Sequence, residues 1–184
     1  DRKSKPLWVL ISEAGKKVCV IGCTLTYPPD SVNGCIVSGL GTPIRRGFPL
    51  KCQFAFPSAL MGEIEERVGR YLIGLDVYPK KISEGLKHKI SQLVDYRIKV
   101  NRYFFENYYS DFNFYFFGET DLAFHLFWDD KDFNYSLYER IDSFIGELLR
   151  KEDANIILMS DHGFAKKERM FFVDRWLESE NFLT

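Results

Sequence analysis

The chain has 184 residues, enough for one sizeable core and too few for two full α/β domains with their connecting elements. Hydrophobic residues make up 46% and charged residues 28%, a globular composition rather than a disordered, fibrous or membrane-embedded one. Lys and Arg number 25 against 26 Asp and Glu, so no broad basic footprint for nucleic acid or an anionic membrane exists, and an anionic ligand has to be held locally.

The chain starts at Asp1 without an initiator Met and stops at Thr184, so both ends are expected to be internal to a longer protein. The expected compartment is the cytoplasm, with secretion left open because a leader would precede Asp1. No apolar run approaches the roughly 18 residues of a membrane span. Cys19, Cys23, Cys35 and Cys52 lack CxxC spacing and read as free thiols, packed as small hydrophobes. Asn134-Tyr135-Ser136 matches the N-glycosylation acceptor pattern, which arises readily by chance.

Taken in chain order, Pro6 to Ala14 carries Leu7, Leu10, Ile11 and Ala14 at helical spacing, with Gly15 as a stop. Val18 to Gly22 is a short β-branched run, the pattern of a strand buried on both faces. Thr24 to Pro57 is rich in Pro and Gly and predicts loop around a short strand near Cys35 to Ser38. Apolar residues recur at three- and four-residue spacing from Ala59 to Tyr71 and from Ile82 to about Tyr109, predicting two amphipathic helices. Asp111 to Phe117 predicts an aromatic strand, and Tyr135 to Arg150 a helix with Leu137, Ile141, Phe144, Ile145, Leu148 and Leu149 on one stripe. A last strand is predicted over Asn155 to Ser160. Helices alternating with buried strands predict an α/β fold, a mostly parallel sheet flanked by helices, as a single unit over residues 1–184.

Ligands of open α/β sheets bind beyond the carboxyl ends of the strands. Two polar clusters sit at such predicted ends: Glu119-Thr120-Asp121 with His125, and Asp161-His162. If a helix starts after the aromatic strand, Asp121 and His125 at i and i+4 face the same way and can close on one cation; a surface ion pair is the plainer reading. Asp161 and His162 are adjacent and can meet one metal only where the chain has begun to turn, which Gly163 permits; a simple cap is the plainer reading there. Together the clusters use two of three histidines, each beside an Asp. His88 lies in the basic stretch Lys87-His88-Lys89 and reads as solvent-exposed. Three consecutive residues cannot align as a Ser160-Asp161-His162 triad, and no cysteine has a neighbouring base in sequence.

These residues resemble the type I phosphodiesterase/nucleotide pyrophosphatase branch of the alkaline phosphatase superfamily. Glu13-Ala14-Gly15-Lys16-Lys17-Val18 is similar to its helix-to-strand entry, and Thr26-Tyr27-Pro28-Pro29 through Val32-Asn33-Gly34 to Ser38-Gly39 to its Pro-rich loop. Asp121 with His125 is similar to its Asp-x-x-x-His motif, and Ser160-Asp161-His162-Gly163-Phe164 to its most specific motif. The resemblance implies an alkaline-phosphatase-like fold and two divalent ions, zinc or in second place manganese, one held by Asp121 and His125, the other by Asp161 and His162. Two cations about 4 Å apart suit in-line phosphoryl transfer. It also implies a Thr or Ser nucleophile before residue 1 and a further metal histidine after residue 184, so no catalytic nucleophile is assigned in this chain. The 184-residue chain alone is therefore expected to bind metal weakly and not to turn over. The implied substrate is a small phosphate ester, with a nucleotide as one choice, and its selection is expected in the loops from Thr24 to Pro57. Alternatives are a phosphomonoesterase, a sulfatase or a phosphoglycerate mutase of the same superfamily, or a non-catalytic module that kept the fold.

Overall fold

The computed structural model describes residues 3–75, 82–151, 153–166 and 168–183. Internal contacts divide the chain into two units, Asp1–Ala154 and Asn155–Thr184. The first is built on a four-stranded sheet whose strands lie in the order Ala55–Phe56, Gly34–Val37, Val18–Ile21, Phe112–Tyr115. Strands β1 (Val18–Ile21), β2 (Gly34–Val37) and β6 (Phe112–Tyr115) run parallel, and β5 (Ala55–Phe56) joins the β2 edge antiparallel. All four residues of β1 are buried, as its apolar run predicts for a central strand covered on both faces.

The pleat divides that run between two layers. Val18, Val20 and Ile36 pack with Trp8 of α1 (Leu7–Glu13) on one face. Cys19, Ile21, Cys35 and Val37 pack on the other with Leu60 and Ile64 of α2 (Leu60–Arg67) and Val100 and Phe104 of α3 (Glu84–Asn107). A third cluster joins α3 to α4 (Glu119–Phe127) and α5 (Lys131–Lys151), through Ile90, Val94, Ala123, Leu137, Ile141 and Phe144 among others. All four cysteines are free thiols.

The expected α/β architecture is therefore present, with local differences. Helix α2 stops at Arg67 rather than Tyr71, because Gly69, at φ +105°, turns the chain and returns its N–H to Ile64 O. Helix α5 starts at Lys131, four residues before the expected point, because Asp130 Oδ1 accepts the Phe133 N–H at 3.0 Å and so caps the first turn. The region predicted as loop holds a hairpin of β3 (Ile44–Arg45) and β4 (Phe48–Pro49). Arg46 and Gly47 both have positive φ, the conformation of a two-residue primed turn. Asn134 is 2% exposed and its amide nitrogen donates to Phe127 O and Asp130 O, so the glycosylation pattern does not describe an accessible acceptor.

In the second unit the expected strand over Asn155 to Ser160 is not formed: these residues are irregular and exposed, Ile157 at 83%. A strand needs a ladder partner for its N–H and C=O groups, and the described residues of this unit contain none, only the seven-residue helix α6 (Val173–Ser179). No described helix of either unit is long and apolar enough to cross a membrane.

Candidate metal centre

The parallel strands fix where chemistry can collect. Their register sets Ile21, Val37 and Tyr115 in line, so the segments after β1, β2 and β6 all emerge from one sheet edge. The first two interlock. Gly22, at φ +72°, turns the chain after β1, and a Cβ on Gly39 would lie 1.9 Å from Gly22 O, so only glycine allows the two backbones to approach. Gly39 N–H then donates to Cys23 O at 3.0 Å and to Thr26 Oγ1 at 3.2 Å, and Ser38 Oγ donates to Thr26 O at 3.0 Å.

After β6 the chain turns at Gly118 into α4, the helix that the Asp121–His125 spacing requires. Glu119, Ala123 and Phe127 recur every four residues and are buried, whereas Asp121 and His125 lie on the more open side of the helix. Asp121 Oδ1 stands 3.5 Å from His125 Nε2, with side-chain exposures of 47% and 60%. One carboxylate oxygen and one imidazole nitrogen thus converge beyond the sheet edge. Both are donor types that zinc accepts.

Beneath them lies a buried polar network. Arg97 of α3, 4% exposed, donates from Nε and Nη2 to Glu119 Oε1 at 3.2 and 3.0 Å. Its Nη2 also donates to Ile73 O at 3.4 Å, and its Nη1 to Tyr71 Oη at 3.3 Å; Tyr71 Oη in turn donates to Ser38 O at 3.2 Å. A Cβ on Gly22 would sit 3.2 Å from Arg97 Nη1, so the guanidinium also packs beneath the end of β1. Burial opposes the charge on Arg97, but Glu119 and Tyr71 outweigh it and hold the guanidinium above its ordinary range. Burial pushes the Tyr71 hydroxyl up, so it stays protonated and can donate.

This network was not singled out from sequence, although a signal for it exists. Ile90, Val94, Arg97, Asn101 and Phe104 follow four-three-four-three spacing along the buried stripe of α3, and Glu119 heads the buried stripe of α4. A charge at a core position of each helix points to a pair.

In the second unit the chain bends at Asp161, as the metal reading of an adjacent Asp-His requires. Asp161 Oδ1 lies 3.8 Å from His162 Nε2 and accepts the His162 backbone N–H at 3.1 Å. His162 Nδ1 is 3.1 Å from Gly163 O, a carbonyl that can accept an N–H from that ring nitrogen. The Ser160 hydroxyl donates to His162 O and Phe164 meets the imidazole edge-on, which together support the turn. Ser160 Oγ is thereby directed at a backbone carbonyl and not at the imidazole, consistent with rejecting a triad.

Each expected pair is thus brought together within its own unit. No cluster of three or more His, Cys, Asp or Glu side chains able to hold one ion occurs among the described residues. Each pair offers two donors of the four that zinc usually takes, which fits a half-site in donor chemistry. His88 is exposed on α3, as expected.

No curated protein and no solved structure matches the chain. The family model for type I phosphodiesterase / nucleotide pyrophosphatase matches residues 2–184, nearly its whole length. The chain accordingly belongs to the type I phosphodiesterase/nucleotide pyrophosphatase family, within the alkaline phosphatase superfamily.

Proposed function

We propose that this chain forms part of a metal-dependent hydrolase of phosphodiester or pyrophosphate bonds in small, nucleotide-like esters. Asp121 and His125 would hold one divalent cation and Asp161 and His162 a second, zinc by donor type and manganese in second place. The observation that carries the reading is the convergence of Asp121 Oδ1 and His125 Nε2 on the open side of α4, beyond the carboxyl ends of β1, β2 and β6. When bound, the ions would supply positive charge for the attacking and leaving oxygens of an in-line displacement.

The protein's own contribution is placement. Helix α4 presents a carboxylate and an imidazole from one turn, so little side-chain freedom is lost when both engage the same ion. A proton on His162 Nδ1 would be held by Gly163 O, which would orient the imidazole. The close approach of Gly39 to Gly22 and the Gly39 N–H bond to Cys23 O fix the turns after β1 and β2 against each other. The nucleophile is assigned to no residue of this chain.

The test is hydrolysis of a bis-nitrophenyl phosphodiester by the natural full-length protein, before and after chelation. Activity should fall at least about 100-fold on chelation and in Asp121→Ala and Asp161→Ala, and return to the chelated wild type when zinc is restored. Full activity in chelator, or in both variants, contradicts the reading.

A further inference from the structure

Helix α4 lacks what usually fixes a helix start. Its N-cap is Gly118, which supplies no side-chain cap, and only three residues separate it from β6. At that link the Thr120 hydroxyl donates to Phe117 O at 3.1 Å and Phe117 packs against Phe144, and further along Ala123 and Phe127 enter the core. A polar anchor at the first turn adds to these in setting the rotation of α4, which decides whether Asp121 and His125 face the sheet edge. Successive helical residues are turned by about 100°, so Asp121 lies about 200° from Glu119. A side chain pinned inward at Glu119 therefore turns Asp121, and His125 with it, outward.

Glu119 is pinned in that way. Its Oε1 accepts two hydrogen bonds from Arg97, and both side chains are about 95% buried. Arg97 is in turn fixed to the Ile73 carbonyl, to Tyr71 and so to the Ser38 carbonyl after β2, and against Gly22 after β1. One guanidinium thus references the first turn of α4 to the ends of two strands. A buried ion pair is a poor way to gain stability, since apolar side chains of similar size often serve as well, whereas a two-bond fork fixes orientation.

We propose that the Arg97–Glu119 pair is the positioning device of the candidate centre, setting the rotation of α4 so that Asp121 and His125 meet one divalent cation; this rests on the metal reading above. Neither residue would touch the ion. The predicted signature is selective loss at one of two ion sites.

The experiment is a zinc competition titration of the natural full-length protein, with Arg97→Met/Glu119→Leu and Arg97→Lys beside the wild type. In the double variant the ion assigned to Asp121 and His125 should bind about 10- to 100-fold more weakly, while the ion assigned to Asp161 and His162 keeps its affinity. Arg97→Lys keeps the charge but not the fork, and should fall between. General loss of structure would weaken both ions, so equal loss at both sites overturns the proposal, as does a folded double variant with wild-type affinity at both. Should the double variant not fold, Arg97→Lys decides alone, and unchanged affinity overturns the proposal. Hydrogen exchange across residues 118–127 of the metal-free proteins supplies a reading without metal. Faster exchange in the variants supports positioning, and unchanged exchange refutes it. A wild type that binds no zinc refutes the metal reading, and exchange then still decides whether the pair positions α4.

Discussion

Asp121 Oδ1 and His125 Nε2 face each other across 3.5 Å on one turn of α4. In the absence of an ion the contact is an exposed i,i+4 pair, and such pairs contribute only about 0.3–0.5 kcal/mol. His125→Ala should therefore leave the unfolding midpoint of the metal-free protein within a few degrees of wild type. A large loss of stability would mean that His125 serves the fold rather than a ligand.

The buried pair behind it behaves oppositely. Arg97→Met alone strands the Glu119 carboxylate among apolar side chains, and should cost about 3–5 kcal/mol in chemical denaturation. The Arg97→Met/Glu119→Leu double variant should recover most of that loss. Equal destabilisation by the single and the double change would show that the carboxylate is not what makes Arg97→Met costly.

A methyl group at Gly39 has no room, since its Cβ would fall 1.9 Å from Gly22 O. Gly39→Ala must separate the turns after β1 and β2 and break the Gly39 N–H bond to Cys23 O, at a cost above about 2 kcal/mol. Gly62→Ala, where a Cβ meets nothing within 4 Å, is the control and should be neutral or slightly stabilising because it is within helix α2.

Much of this was legible beforehand. The apolar run at Val18 to Ile21 marked its strand because burial on both faces leaves no polar alternation, whereas Phe112 to Tyr115, an edge strand with Asn113 exposed, was marked by its aromatic composition. Asp121 and His125 were legible because four-residue spacing is a property of the helix itself. The edge strand β5 was not, because two residues carry no periodicity and its pairing with β2 joins positions about 20 apart. Asn155 to Ser160 illustrates the converse: β-branched composition marks a segment that can pair, but pairing depends on a neighbour that local sequence does not reveal. Arg97 and Glu119 sit 22 residues apart, and only the unusual placement of a charge on each apolar stripe hinted at their meeting.

Glu63 links α2 to the end of α3, accepting hydrogen bonds from the Tyr103 and Tyr108 hydroxyls. These bonds hold its carboxyl below the ordinary value of 4.5, and Tyr103 is pushed up to about 12 by burial and by Glu63. A carboxyl lowered on folding contributes stability above its unfolded value and loses it as pH falls through the folded value. Glu63→Gln should therefore cost about 1 kcal/mol at pH 7, and the gap to wild type should close below pH 4.5. An identical gap at pH 3 and pH 7 would contradict the assignment.

Cys19 and Cys35 face each other in the core with sulfurs 3.3 Å apart, and the Cys35 contact together with burial pushes the Cys19 thiol up. Under native conditions a thiol reagent should modify Cys23 and Cys52 faster than the Cys19–Cys35 pair by roughly 100-fold or more. Comparable native rates at all four would mean that the sheet opens far more readily than its packing implies.

The most direct test of the metal account is the zinc content of the natural full-length protein after equilibrium dialysis. Two ions per chain are predicted for the wild type, one for Asp121→Ala/His125→Ala, one for Asp161→Ala/His162→Ala, and none when all four are changed. Retention of two ions by the fourfold variant would contradict the assignment of these residues.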